Sequence, residues 1–142
     1  MKNLTKRLLL LVTASLAFVL AGCATTTRIH VESKKDTNGG EPFYMVVRNT
    51  DGKSFVTERY QDVAAKLFAK SQDPQTVSQE PIFPGKPFTL TLEEGDKKDL
   101  VVYFFFSKPG TNWRVPLRKP LPAEVLIELG ANDVQKVQVR KR

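Results

Sequence analysis

One cysteine, one histidine and one tryptophan stand among 142 residues, and each scarcity excludes a class of function. A lone thiol makes no internal disulfide. His30 has no second histidine with which to build a metal set, and no His/Cys/Asp/Glu group has metal-ligand spacing. It also lies close to the start of the chain's structured part, a poor position for a Ser–His or Cys–His nucleophile pair. The eight glycines occur singly or as Gly39-Gly40, without a phosphate-cradling pattern before a helix. Glu93, Glu94 and Asp96 are the one acidic cluster; on a turn they are solvated surface before they are a glycosidase-type carboxylate pair. An enzyme is not expected. Long apolar runs are lacking too. The longest, Leu8 to Leu20, has thirteen residues, short of the roughly 20 that span a bilayer as a helix.

That short run is nevertheless the most informative stretch present. Lys2, Lys6 and Arg7 precede it, and Ala21-Gly22 leads from it into Cys23. This is the three-part plan of a secretory signal, and the Cys directly after small residues makes it the lipoprotein variant. The expectation is a removable leader over 1–22, a covalent lipid on Cys23, a tether over 23–27 and one domain over 28–142. No other cofactor is expected. Acyl chains on Cys23 explain why the sole thiol stands there and nowhere in the domain, and together they hold a protein firmly on a bilayer. The next residue is Ala24 and not Asp, the usual inner-membrane retention signal in Gram-negative bacteria, which favours the outer membrane and its periplasmic face. Without the leader's three cations the formal charge falls from +7 to +4, and part of that excess is the closing run Arg140-Lys141-Arg142. So mild a charge on an exported chain gives no reason to expect a nucleic-acid partner.

From residue 28 the patterning is mostly of period two. Arg28 to Glu32 alternates polar and apolar residues. Ser33 to Glu41 is a polar loop rich in Gly and Asn, and Phe43 to Arg48 is a second strand. Val56, Tyr60, Val63, Ala64, Leu67 and Phe68 then follow helical spacing, which predicts one helix over Val56 to Lys70 with Thr57 as its cap. Ser71 to Glu80 is a polar connection. Phe83-Pro84-Gly85 turns into the alternating strand Phe88 to Leu92. Leu100 to Phe106 is apolar on both faces and predicts a central strand, with its phenylalanines in the core and not lining a ligand pocket. Trp113 to Leu117 contains Pro116 and suggests an edge. Val125 to Leu129 and Val134 to Val139 close a hairpin. About seven short strands with regular turns indicate an all-β sandwich with one helical insertion around 56–70.

The order of these features resembles the outer-membrane lipoprotein family of type VI secretion systems, called TssJ. The resemblance runs from Cys23 and the strand behind it, through the loop ending at Pro42, to Tyr44-Met45-Val46-Val47-Arg48. It continues with Phe55 and the helical Tyr60 to Phe68, Phe83-Pro84-Gly85, the aromatic strand Leu100 to Phe106, Trp113-Arg114 and the final hairpin. The chain departs from the family's usual steps at Asn49-Thr50-Asp51, at Ser71 to Glu80 and at Phe106-Ser107-Lys108, which marks a divergent member. The resemblance implies a transthyretin-like two-sheet β-sandwich with one inserted α-helix, tethered to the outer membrane through Cys23. It implies a non-enzymatic role in which the periplasmic domain of an inner-membrane TssM-like protein is anchored. It also implies that the first loop, with Lys34, Lys35, Asp36, Thr37, Asn38, Gly39 and Gly40, contributes the partner contact. Trp113 and Arg114 are themselves read as structural, with the tryptophan covering an end of the sandwich. The competing reading is a free-standing periplasmic lipoprotein that binds a small molecule or glycan in a concave aromatic pocket.

Overall fold

The computed structural model of the chain describes residues 25–93, 95 and 99–142. The expected leader, Cys23 and Ala24 lie outside the described residues, as do Glu94 and Asp96 of the acidic cluster. Eight strands form two four-stranded sheets, with two short helices between the second strand and the third. The elements are β1 (Thr26–Glu32), β2 (Phe43–Asn49), α1 (Gly52–Thr57), α2 (Tyr60–Leu67), β3 (Thr76–Ile82), β4 (Phe88–Glu93), β5 (Leu100–Phe105), β6 (Arg114–Leu117), β7 (Glu124–Leu129) and β8 (Val134–Arg140). One sheet has the order β4-β1-β7-β8 and the other β3-β2-β5-β6. Every described pairing is antiparallel except β1 with β7, which run parallel from Arg28↔Glu124 to Glu32↔Glu128. A β-sandwich is thus observed, as its alternating strands require.

β5 organises the packing as its composition predicts. All six of its residues are buried. Leu100, Val102 and Phe104 join Ile29, Val31, Met45, Val125 and Ile127 between the sheets. Val101, Tyr103 and Phe105 point the other way, where Val46, Val63 and Trp113 meet them beneath the helices. Burying a side chain of this size is worth roughly 1.5–3 kcal/mol against exposure, so a strand apolar on both faces is placed only where both are covered. β6 is an edge strand, and its Pro116 is exposed opposite Val101; an edge tolerates a residue with no N–H to donate.

Several expectations fail here. The polar stretch Ser71 to Glu80 contains most of β3, which pairs with β2 from Phe43↔Ile82 to Arg48↔Thr76. Along β3 only Ile82 is buried. An edge strand wetted on its faces carries no hydrophobic alternation, and its cohesion is the backbone ladder to β2. The single helix over 56–70 is two helices. Asp51, not Thr57, caps the first: its side chain accepts from the N–H of Ser54 at 2.7 Å. Thr57 is the last residue of α1, and Glu58 and Arg59 are extended. Val56 and Phe68, expected on the buried face, are 75% and 74% exposed. Trp113 also lies elsewhere than expected: it packs under the helices on the outer face of the sheet rather than over an end of the sandwich.

Strand directions give the sandwich two distinct ends. One collects the start of β1, the β6–β7 connection and the end of β8. There the Thr27 hydroxyl donates to the carbonyl of Pro122 at 2.9 Å, and an N–H of Arg142 donates to the carbonyl of Thr26. The other end collects the β1–β2, β3–β4, β5–β6 and β7–β8 connections.

Candidate functional site

The loop between β1 and β2 is held rigidly at that second end. At its centre Asn38 has φ 54°, and Gly39 and Gly40 follow at 66° and 82°. Three successive left-handed residues need Gly, or Asn with its short local hydrogen bonds. The Asn38 backbone N–H donates to the carbonyl of Ala131 at 2.6 Å. Its side-chain amide donates to the carbonyl of Glu41 at 3.0 Å, and its side-chain oxygen accepts from the N–H of Ser107 at 2.7 Å. One residue therefore ties together three connections belonging to both sheets. Thr37 is fully buried, and its hydroxyl accepts from the N–H of Lys34 at 3.0 Å.

A fourth connection packs alongside. Gly85, at φ 76°, donates its N–H to the Ser33 hydroxyl at 3.1 Å. A Cβ at Gly85 would stand 2.9 Å from Cγ of Lys35, so the β3–β4 turn fits the first loop only without a side chain there. Beside it Phe83 is 50% exposed, and the Lys86 ammonium lies 5.8 Å from its ring centroid.

The seven loop residues thus divide. Thr37 and Asn38 are buried and serve as pins. Lys34, Lys35, Asp36, Gly39 and Gly40 are exposed, on a frame that fixes their positions before any partner arrives. Lys86 and Lys108, on neighbouring connections, are exposed as well. The surface is preorganised and lysine-bearing, which suits binding to a macromolecule better than chemistry on a small one. His30 lies outside it, with Nδ1 3.0 Å from the Thr89 hydroxyl. Among the described residues no group of three His, Cys, Asp or Glu side chains has the geometry of a metal site, and no helix is long and apolar enough to cross a membrane.

Sequence reasoning missed a buried polar cluster on the outer face of the β3-β2-β5-β6 sheet. Arg48, 1% exposed, donates from Nη1 to Glu58 and from Nε to Asp73, both at 2.7 Å, and from Nη2 to Gln75 at 2.8 Å. The Tyr103 hydroxyl donates to the other Glu58 oxygen at 2.5 Å, which leaves the Thr50 hydroxyl as donor to Tyr103 at 3.3 Å. Burial acts against the Arg48 charge, but its bonds to Glu58 and Asp73 outweigh that and raise its pKa. Burial would lift Asp73, yet the Gln75 N–H and Arg48 hold it below the usual carboxylate range. Burial, then the Glu58 carboxylate, pushes Tyr103 up to about 12. Arg114 donates to the carbonyl of Glu58 at 3.1 Å and stacks over Phe55 at 4.3 Å. The cluster is saturated with internal partners and clamps the α1–α2 junction onto the sheet. The signal available in the sequence was Arg48 itself, a cation ending an otherwise apolar strand.

A family model, IglE N-terminal domain, matches residues 44–129. That is more than half the chain. The chain belongs to the IglE N-terminal domain family. The matched span runs from β2 to the end of β7 and so includes the helical layer and the Arg48 cluster. No curated protein matches the chain. Solved structures do. The T6SS lipoprotein TssJ1 from Pseudomonas aeruginosa is 15% identical with a TM-score of 0.64, over 84% of this chain and 98% of that one. Serratia marcescens Lip, a membrane-bound component of the Type VI Secretion System, is 16% identical with a TM-score of 0.61, over 80% and 98%. A chain in the structure of the T6SS protein TssM C-terminal domain (869-1107) from EAEC is 20% identical with a TM-score of 0.56, over 77% and 98%. This IglE-family chain is therefore TssJ-like in fold, and a divergent example of it.

Proposed function

We propose that the chain is an acylated lipoprotein subunit of a type VI secretion membrane complex, held at the periplasmic face of the outer membrane through Cys23, whose loop cluster docks the periplasmic domain of an inner-membrane TssM-like protein. The observation that carries this reading is the separation of the two ends. β1 begins at Thr26, three residues after Cys23, so a lipid there holds one end of the sandwich at the bilayer. The rigid lysine-bearing loops then face away from it, toward a partner arriving from the opposite membrane. The TssJ-like fold supports the same reading. So does the similarity to a chain from the TssM structure: 77% of 142 residues makes up 98% of that chain, which is therefore much shorter than a fragment numbered 869 to 1107. In this reading the chain acts by binding alone, and tethering raises its effective concentration at the partner.

The test is a titration of the chain, in a version beginning at Ala24, against the periplasmic domain of the TssM-like protein encoded beside it. Saturable binding is expected. Lys34→Glu with Lys35→Glu should weaken it by roughly tenfold or more, as charge reversal in an interface does, without changing the melting temperature. Saturable binding that ignores these changes would move the site and keep the function. No binding by two well-folded proteins would sink the proposal. Lipid attachment is checked separately, by radiolabelled palmitate incorporation that disappears in Cys23→Ser.

A further inference from the structure

The end of the sandwich at which β1 begins carries a cleft of about 400 Å³ that the partner-binding role does not use. Its exposed apolar walls are Pro116, Pro120 and Val139, and its charged lining is Arg118, Lys141 and Arg142. Two of the acids at this end, Glu124 and Asp99, have partners outside the cleft. Glu124 accepts from Arg140 at 3.1 Å and lies 3.4 Å from Arg28, and Asp99 accepts from the backbone N–H of Lys119 at 3.0 Å. An apolar slot whose lining holds Arg118 and Lys141 and no acidic side chain suits an amphiphile with an anionic head.

The position of the cleft selects the amphiphile. An Arg142 N–H donates to the carbonyl of Thr26 at 2.8 Å, and Cys23 stands three residues before Thr26, a step that spans at most about 10 Å. A lipid on Cys23 therefore brings the cleft to the height of the phospholipid headgroups, where each Lys or Arg is attracted to an anionic surface. We infer that this cleft seats an anionic phospholipid of the membrane that holds the chain, with the phosphate at Arg118 and Lys141 and the upper acyl chain along Pro116, Pro120 and Val139. The inference rests on the lipoprotein reading and deepens it: the domain stands end-on against the bilayer through two contacts, and the loop cluster points away in a fixed orientation.

The experiment uses the acylated chain as cells produce it, reconstituted in nanodiscs of phosphatidylcholine alone or with phosphatidylglycerol added, and followed by hydrogen exchange. The expected result is roughly tenfold slower exchange over 117–123 and 137–142 in the anionic discs only. The protection should vanish in Arg118→Gln/Lys141→Gln, while exchange over β5 stays as in the parent and shows that the variant is folded. Equal exchange in the two kinds of disc, with the chain retained on both, would overturn the inference and leave the tether intact. Protection unchanged in the variant would overturn it as well. Loss of the chain from both discs would refute the tethered reading itself, and the inference with it.

Discussion

The two faces of the β3-β2-β5-β6 sheet bury similar residues for different reasons. On the inner face Val102, Phe104 and Phe106 belong to one apolar cluster drawn from both sheets. On the outer face Tyr103, Phe105 and Trp113 form a ring cluster with Tyr60, bordered by Arg48, Glu58 and Asp73. Two short helices cannot seal that face as a sheet can: α1 buries none of its residues and α2 buries only Val63. Polar groups that leave one edge of the ring cluster therefore find partners in the segments joining the helices to the strands. The inner face supplies stability by exclusion of water; the outer face fixes where two short helices lie.

The largest effect expected of a single change lies on the inner face. Phe104→Ala, at a fully buried position, should cost about 3–5 kcal/mol through lost transfer energy and the cavity left behind, measured by denaturant unfolding. On the outer face Arg48→Ala leaves two carboxylates facing one another without their cation. The carboxylates retain some contact with water, with side chains 11% and 15% exposed, so the loss should fall near 3 kcal/mol, the lower end for a broken buried pair. Replacing Arg48, Glu58 and Asp73 together by Met, Gln and Asn should recover most of it. An Arg48→Ala loss equal to that of the triple variant would show that the ionic contacts do not set the cost, and the contrast between the faces would fail.

Acid and base test the same cluster with opposite signs. Asp73 has its folded pKa depressed, so its contribution is present above the unfolded value of about 3.9 and is lost as pH falls through the lower folded value. Unfolding free energy should therefore fall more steeply below pH ~4 in the parent than in Asp73→Asn. Tyr103 has its folded pKa raised to about 12. Its contribution is present below the unfolded value of about 10 and disappears as pH rises through about 12. An absorbance titration of phenolate should show Tyr103 ionising late, and Glu58→Gln should lower its midpoint.

This contrast also explains what was legible in the sequence. Leu100 to Phe106 announced a doubly buried strand, and Phe88 to Leu92 announced one buried on a single face, because hydrophobic period records which faces are dry. β3 was invisible, since an exposed edge strand has no dry face to record. The helix break at Glu58 was invisible for a different reason. Its helical spacing continues from Val56 through Leu67, and the hold of Arg48, Tyr103 and Arg114, distant in sequence, draws Glu58 out of line. In the loop cluster, Asn38-Gly39-Gly40 signalled a turn, but the inward course of Thr37 and Asn38 depends on Ala131 and Ser107.

The smallest effect concerns α1 alone. Its N-terminus is capped by Asp51, a solvent-exposed carboxylate whose pKa is lowered chiefly by the Ser54 N–H. Its other end is fixed by Glu58. If the Glu58 anchor sets the helix position, Asp51→Ala should lower stability only slightly, by the loss of one cap. Hydrogen exchange should then quicken over 53–57 while β5 and α2 stay protected. Exchange quickening over Tyr60–Leu67 as well would mean that α1 and α2 open as one unit. The cap and not the buried arginine would then hold the outer layer in place.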